Sequence, residues 1–214
     1  MWSQTEIIVY IVATIFTGLV TFLAVLVALF GKALISKLFP PVFEFRILKA
    51  VGERCPITDR DRKHIGDGRY YHLTVQNTRR WVVATHAQLR LIRIEVPGPD
   101  GQFQIKWDGD IPIRRRHQEF YPTESVIGSP IDYDLCAIVN TPTDKPTTSL
   151  MPIIAANNLP YKWSADCHFM ACFQLKCSEG DSKMIRIQFD WDGIWHDGDA
   201  EIQDHFKAKQ VREV

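Results

Sequence analysis

Phe169-Met170-Ala171-Cys172-Phe173-Gln174-Leu175 and Ile185-Arg186-Ile187-Gln188-Phe189-Asp190-Trp191 are the two stretches that decide the fold class. In the first, Phe169, Ala171, Phe173 and Leu175 alternate with Met170, Cys172 and Gln174. In the second, Ile185, Ile187, Phe189 and Trp191 alternate with charged or amide side chains. Side chains of a β-strand point to opposite faces in turn, so each stretch reads as a strand with one buried face. The same period of two recurs in Phe43-Glu44-Phe45-Arg46-Ile47 and in Tyr71-His72-Leu73-Thr74-Val75. Further strands are expected over 87–96, 103–107 and 135–139, with a short piece near 152–155.

Turn chemistry separates these runs. Gly66-Asp67-Gly68, Pro97-Gly98-Pro99-Asp100-Gly101, Asp108-Gly109-Asp110 and Ser178-Glu179-Gly180-Asp181 read as turns, and Asn140 to Ser149 reads as a loop. Seven or eight short strands with no long amphipathic helix between them exclude a doubly wound sheet. They predict an all-β domain, an antiparallel β-sandwich. One short C-terminal helix is expected over 199–207, with Asp197 or Asp199 as its N-cap and Glu201 in its first turn.

The N-terminus follows a different rule. Ile7 to Phe30 holds 24 consecutive uncharged residues, which at about 1.5 Å per residue make a helix of roughly 36 Å, enough to cross a hydrocarbon core of about 30 Å. Met1 to Glu6 carries no Lys or Arg, and the apolar run is longer than a signal-peptide core, so an uncleaved anchor is expected. Lys32, Lys37, Arg46 and Lys49 all follow the run, which predicts an N-terminus outside and a C-terminal domain in the cytoplasm, at the inner or plasma membrane. Trp2 and Tyr10 are then expected near the outer interface. Pro40-Pro41 ends the helix, giving an anchor with its juxtamembrane helix at 1–39 and a cytoplasmic domain at 40–214. Ala13, Thr17, Thr21, Ala24 and Ala28 recur on one helical face with Gly18 beside them, a small-residue stripe of the kind that lets two membrane helices approach and form a homo-oligomer.

Tyr71-His72-Leu73-Thr74-Val75-Gln76-Asn77, the long strand that follows it, and the ending Phe189-Asp190-Trp191-Asp192-Gly193-Ile194-Trp195 resemble uncharacterised bacterial proteins that pair one membrane span with an immunoglobulin-like or fibronectin-III-like β-sandwich. The likeness covers roughly residues 70 to 210. It implies architecture only, since the Cys-Trp-Cys spacing of true immunoglobulin domains is not present.

Composition and motifs exclude several activities. With 25 Lys+Arg against 25 Asp+Glu, the chain is no polybasic nucleic-acid binder. It contains no nucleophile elbow, P-loop, dinucleotide fingerprint or zincin helix, so no enzyme is expected. Cys167 and Cys177 would stand roughly 33 Å apart along a strand, with Cys172 on the opposite face. Asp190, Asp192, Asp197, Asp199 and Glu201 fail the EF-hand pattern, because Ile194 and Trp195 fall where an oxygen ligand and Gly belong. No metal or cofactor is therefore expected, and all five cysteines should be reduced. Arg114-Arg115-Arg116 is the strongest basic run. It is a candidate contact for an anionic partner or lipid, or else a charged strand edge that blocks strand addition. The functional expectation is a membrane-anchored binding or scaffolding module with a protein partner. The alternative is an effector or sensor whose spans assemble when the sandwich takes a ligand.

Overall fold

The computed structural model describes residues 3–117, 124–154, 156, 158–164 and 166–211. Trp2 and Ala155 lie outside the described residues. The chain divides into two compact units at Pro40/Pro41. The first is the helix α1 (Gln4–Leu38). Its stretch Ile7–Gly31 is long and apolar enough to cross a membrane, and no large apolar side chain in it is buried.

The second unit is built of strands: β1 (Phe43–Ile47), β2 (Glu53–Thr58), β3 (His64–Asn77), β4 (Ala84–Pro97), β5 (Phe103–Pro112), β6 (Ser125–Ile127), β7 (Ile131–Thr141), β8 (Asp144–Leu150), β9 (Lys162–Ser164), β10 (Cys167–Lys176), β11 (Ile185–Trp191) and β12 (Phe206–Val211). The helix α2 (Asp199–His205) lies between the last two. One sheet has the order β1-β3-β7-β8-β9, with β2 also on β3; the other has the order β12-β11-β10-β4-β5, with β6 on β4. Every strand pairing is antiparallel.

The two sheets share one apolar core. Tyr71, Leu73 and Val75 of β3 join Phe169, Ala171, Phe173 and Leu175 of β10 and Ile187 and Phe189 of β11 in a single buried cluster. Tyr71 meets Phe206 of the other sheet at a ring separation of 4.4 Å, and Trp163 stacks on Phe169 at 3.9 Å. The alternation read at 169–175 and 185–191 thus assigns the inner face, and Gln174 and Gln188 are half-buried on the outer one.

Several turns expected from composition are strands. Gly66-Asp67-Gly68 lies inside β3, held by β2 on one side and β7 on the other. Gly is needed there because a Cβ at position 66 would collide with the Asn140 carbonyl. Asp108-Gly109-Asp110 continues β5, and Gly109 leaves room for the Trp107 indole. The segment 140–149 is a hairpin with its tip at Pro142-Thr143. At α2, neither Asp197 nor Asp199 caps. Gly198 is the N-cap and makes no side-chain bond, because both aspartates are engaged elsewhere.

Candidate functional site

The arginine run belongs to a segment that leaves β5 and pairs with the start of β7. Arg115 is bridged to Tyr133, the Arg116 N–H donates to the Asp132 carbonyl, and the Asp134 N–H donates to the Arg114 carbonyl at 2.8 Å. Alternation then puts Arg114 and Arg116 on the outer face of the first sheet and turns Arg115 the other way. Each of the two is matched to acid: Arg114 Nε lies 3.1 Å from Asp134 Oδ2, and Arg116 reaches both Glu53 and, at 3.5 Å, Asp132 Oδ2. The structure therefore brings two of the three arginines together and gives both of them carboxylates.

His72 of β3 stands in the middle of this cluster, only 5% exposed. Its Nε2 is 3.6 Å from Glu53 Oε2 of β2. Its Nδ1 is 3.1 Å from Asp134 Oδ1 of β7 but lacks the alignment of a hydrogen bond. The placement follows from a bulge: Tyr71 pairs with Cys136 and His72 with Asp134, so Leu135 is the extra residue and Asp134 turns outward beside His72. Burial alone would raise the Glu53 carboxyl. The Lys49 hydrogen bond and the charges of Arg116, Lys49 and His72 outweigh it and hold the group below its ordinary value.

A pocket of about 260 Å³ opens here, walled by Glu53, Cys55, Tyr70, His72, Arg116 and Asp134 among others. Its charges are balanced in pairs, so a bare anion gains little from guanidiniums that already face carboxylates. A small dipolar ligand, offering one donor and one acceptor, suits it better.

The acidic ending makes ion pairs and hydrogen bonds. Arg69 of β3 is wholly buried; its Nη1 donates to Asp199 Oδ1 at 2.7 Å and to the Val51 carbonyl at 3.1 Å, while Nη2 donates to the Asp197 carbonyl. Arg54 bridges Asp67 and Asp197 at 3.1 and 2.9 Å. Asp192 pairs with His205 at 2.6 Å. Asp197 and Asp199 thus tie the β11–α2 connection to β3 of the other sheet, while Asp192 holds that connection to the end of α2. Among the described residues, no group of His, Cys, Asp and Glu is placed to hold a metal ion.

On α1, Ala13, Thr17, Gly18 and Thr21 line one shallow groove with Tyr10, Thr14 and Phe22; Ala24 and Ala28 do not line it. The hydroxyls of Thr14, Thr17 and Thr21 each donate to the carbonyl four residues earlier at 2.8 Å.

Sequence reasoning missed Glu53, His72, Asp134 and Arg69, because they meet only through long-range pairing. The one local signal is for His72, a polar residue at an outward position between the inward Tyr71 and Leu73; the buried Arg69 gives none. No protein-family model matches this chain, and comparison with curated proteins and with solved structures finds no significant match. The class defined is therefore architectural: a β-rich domain in two antiparallel sheets carrying one apolar N-terminal helix.

Proposed function

We propose that the chain is a single-span membrane protein whose two sheets form an immunoglobulin-like β-sandwich, held on the cytoplasmic side as a binding or scaffolding module for a protein partner. The observation that carries this reading is the pairing of a 25-residue apolar stretch of helix, with no large apolar side chain in it buried, with a separate compact unit that begins at Pro41. A helix of that kind in a soluble protein would be covered by its own domain. The basic residues after it set the orientation, and the charge-balanced pocket at His72 is a recognition surface on the free face of one sheet.

A reporter active only in the cytoplasm, fused after Val214, tests the topology. Activity is expected, together with a mature chain that retains Ile7 to Phe30. A silent reporter or a mature chain starting near Lys32 overturns the reading. A second reading, an effector or sensor whose spans assemble on ligand binding, is favoured by the groove along Ala13, Thr17, Gly18 and Thr21.

A further inference from the structure

Strand register alone groups four polar side chains on the outer face of the first sheet. Glu53 of β2 and Tyr70 of β3 are cross-strand partners, and so are His72 of β3 and Asp134 of β7. Tyr70 and His72 stand two residues apart on one strand and therefore share a face. All four wall the pocket of about 260 Å³, together with Arg116 and Arg54. Two of these groups lack hydrogen-bond partners. In the buried His72, Nδ1 is orphaned, and Nε2 stands 3.6 Å from Glu53 Oε2, beyond hydrogen-bond reach. The half-buried Tyr70 hydroxyl makes no hydrogen bond among the described residues. Buried polar groups of native proteins are almost always satisfied, so an idle imidazole and an idle phenol in one pocket point to a ligand.

We propose that this pocket binds a free amino acid or a zwitterion of that size, its ammonium turned inward to Asp134, Tyr70 and His72 and its carboxylate outward to Arg116. The inference rests on reading this face as a recognition surface and asks nothing of α1. The first argument is charge, which depth sorts by sign. The Asp134 and His72 side chains are 10% and 6% exposed, against 23% for Arg116 and 46% for Arg54. A bare anion would meet carboxylate at the floor, and a bare cation would meet guanidinium at the rim. One molecule carrying both charges meets its opposite at each end.

The second argument is hydrogen-bond valence. An ammonium offers donors only, so its site must supply acceptors. Asp134 Oδ2 is taken by Arg114 Nε at 3.1 Å, but Oδ1 accepts no hydrogen bond among the described residues. The Tyr70 oxygen and one nitrogen of a neutral His72 imidazole add two more acceptors, and Glu53 adds a second negative charge. At the rim, Arg116 reaches Glu53 and Asp132, yet its guanidinium carries more N–H donors than those two contacts use. The third argument is size. A pocket of about 260 Å³ falls below the range of about 300 to 1,000 Å³ that takes drug-sized ligands, and so fits a molecule of a few heavy atoms.

The test titrates each of the protein amino acids, and triglycine, into the full chain in detergent micelles, with binding read by ligand-observed NMR. At least one free amino acid is expected to bind with a Kd of about 1 mM or tighter. Its N-acetyl and amide forms, each missing one charge, should bind about tenfold or more weakly, and Glu53→Gln and Arg116→Gln should weaken the free amino acid by a similar factor. Tyr70→Phe removes a hydroxyl that has no partner among the described residues, so thermal unfolding should stay unchanged while affinity falls about threefold or more. That variant separates loss of the ligand from loss of the fold. Arg115→Gln, on the other side of its segment, should change nothing. An N-acetyl form that binds as well as the free amino acid overturns the inward ammonium, and an amide form that does so overturns the role of Arg116. Affinity untouched by both Tyr70→Phe and Glu53→Gln places the ligand elsewhere and overturns the inference. If triglycine binds and no free amino acid does, the inference falls and the face is left to a protein partner. If no probe binds, the reading of this face as a recognition surface falls with it.

Discussion

Asn77 and Val42 are joined where the chain enters the domain: Asn77 Oδ1 accepts the Val42 N–H at 3.3 Å. The same oxygen accepts the Arg79 N–H at 3.1 Å, and Asn77 Nδ2 donates to the Val82 carbonyl. One buried amide thus holds the first strand and the following turn together. Asn77→Ala leaves these backbone groups without partners and is expected to cost about 2 kcal/mol. Asn77→Asp, which keeps the acceptor but loses the donor, should be cheaper on the acceptor side and leave the Val82 carbonyl orphaned. Urea unfolding of the detergent-solubilised chain measures both. A loss within about 0.5 kcal/mol for the alanine variant would place Asn77 among ordinary surface positions.

Phe189 stacks on Phe169 at 4.8 Å and meets Phe206 at 6.3 Å in the centre of the core. Truncation to Ala should cost about 3 to 5 kcal/mol. Gln188, the residue before it in β11, bonds through its side-chain amide to Asp190 on the outer face, and its truncation should cost no more than about 0.5 kcal/mol. The same unfolding experiment compares the two. Similar losses at both positions would mean that the inner face of β11 is wrongly assigned.

That contrast also marks what sequence can tell. The alternation at 169–175 and 185–191 is legible because a buried face forces a period of two. The strands β2, β6, β9 and β12 are short or polar, and their existence depends on partners far along the chain. Gly66-Asp67-Gly68 has turn chemistry, yet flanking strands on both sides hold it extended. Asp197 and Asp199 look like a helix cap or an ion loop because their partner, Arg69, stands more than a hundred residues upstream. Its cation lies in a strand whose pattern gives no hint of a charge inside. The pocket at His72 is hidden for the same reason, since a one-residue bulge at Leu135 creates it.

Stability should fall at both ends of the pH scale. The carboxyls of Glu53, Asp67, Asp110, Glu179 and Asp192 are all held below their ordinary values of 4.5 for Glu and 3.8 for Asp. Groups depressed in the folded state contribute stability that is present above the unfolded values and lost as pH falls through the folded ones. The loss should therefore begin below about pH 4.5. Burial pushes the Cys167 thiol up to about 12 and the Cys172 thiol up to about 11, from 9.0. Their contribution is present below pH 9 and fades as pH rises toward 11 to 12. Thermal unfolding across pH 3 to 11 reads both limbs, and a flat profile contradicts them. The same burial orders the thiols toward an alkylating reagent: exposed Cys55 first and buried Cys136 last, with all five reactive once the chain is unfolded. Stoichiometric zinc or a disulfide in cells would contradict the reduced, metal-free reading.

The small-residue groove on α1 gives the last prediction. Thr14, Thr17 and Thr21 already spend their hydroxyls on carbonyls of their own helix, so two spans meeting here would gain by close packing and not by hydrogen bonds between helices. Thr17→Val keeps the shape and removes only the hydroxyl; it should leave association unchanged. Gly18→Ile should abolish it: a Cβ at Gly18 meets nothing within 4 Å in its own helix, so the added bulk falls wholly on the neighbouring span. Leu26→Ile, which does not line the groove, is the control and should be neutral. Ala24→Ile separates the whole stripe from its upper part, because Ala24 shares the helical face but not the groove; an effect there extends the contact one turn further along. A genetic reporter of span association in the bacterial membrane reads all four variants against wild type. A monomeric wild-type span, or equal signals from Gly18→Ile and Leu26→Ile, removes assembly through the span and leaves the anchored binding module. Loss of association in Thr17→Val would instead mean that the hydroxyls abandon their own helix to bond across the pair.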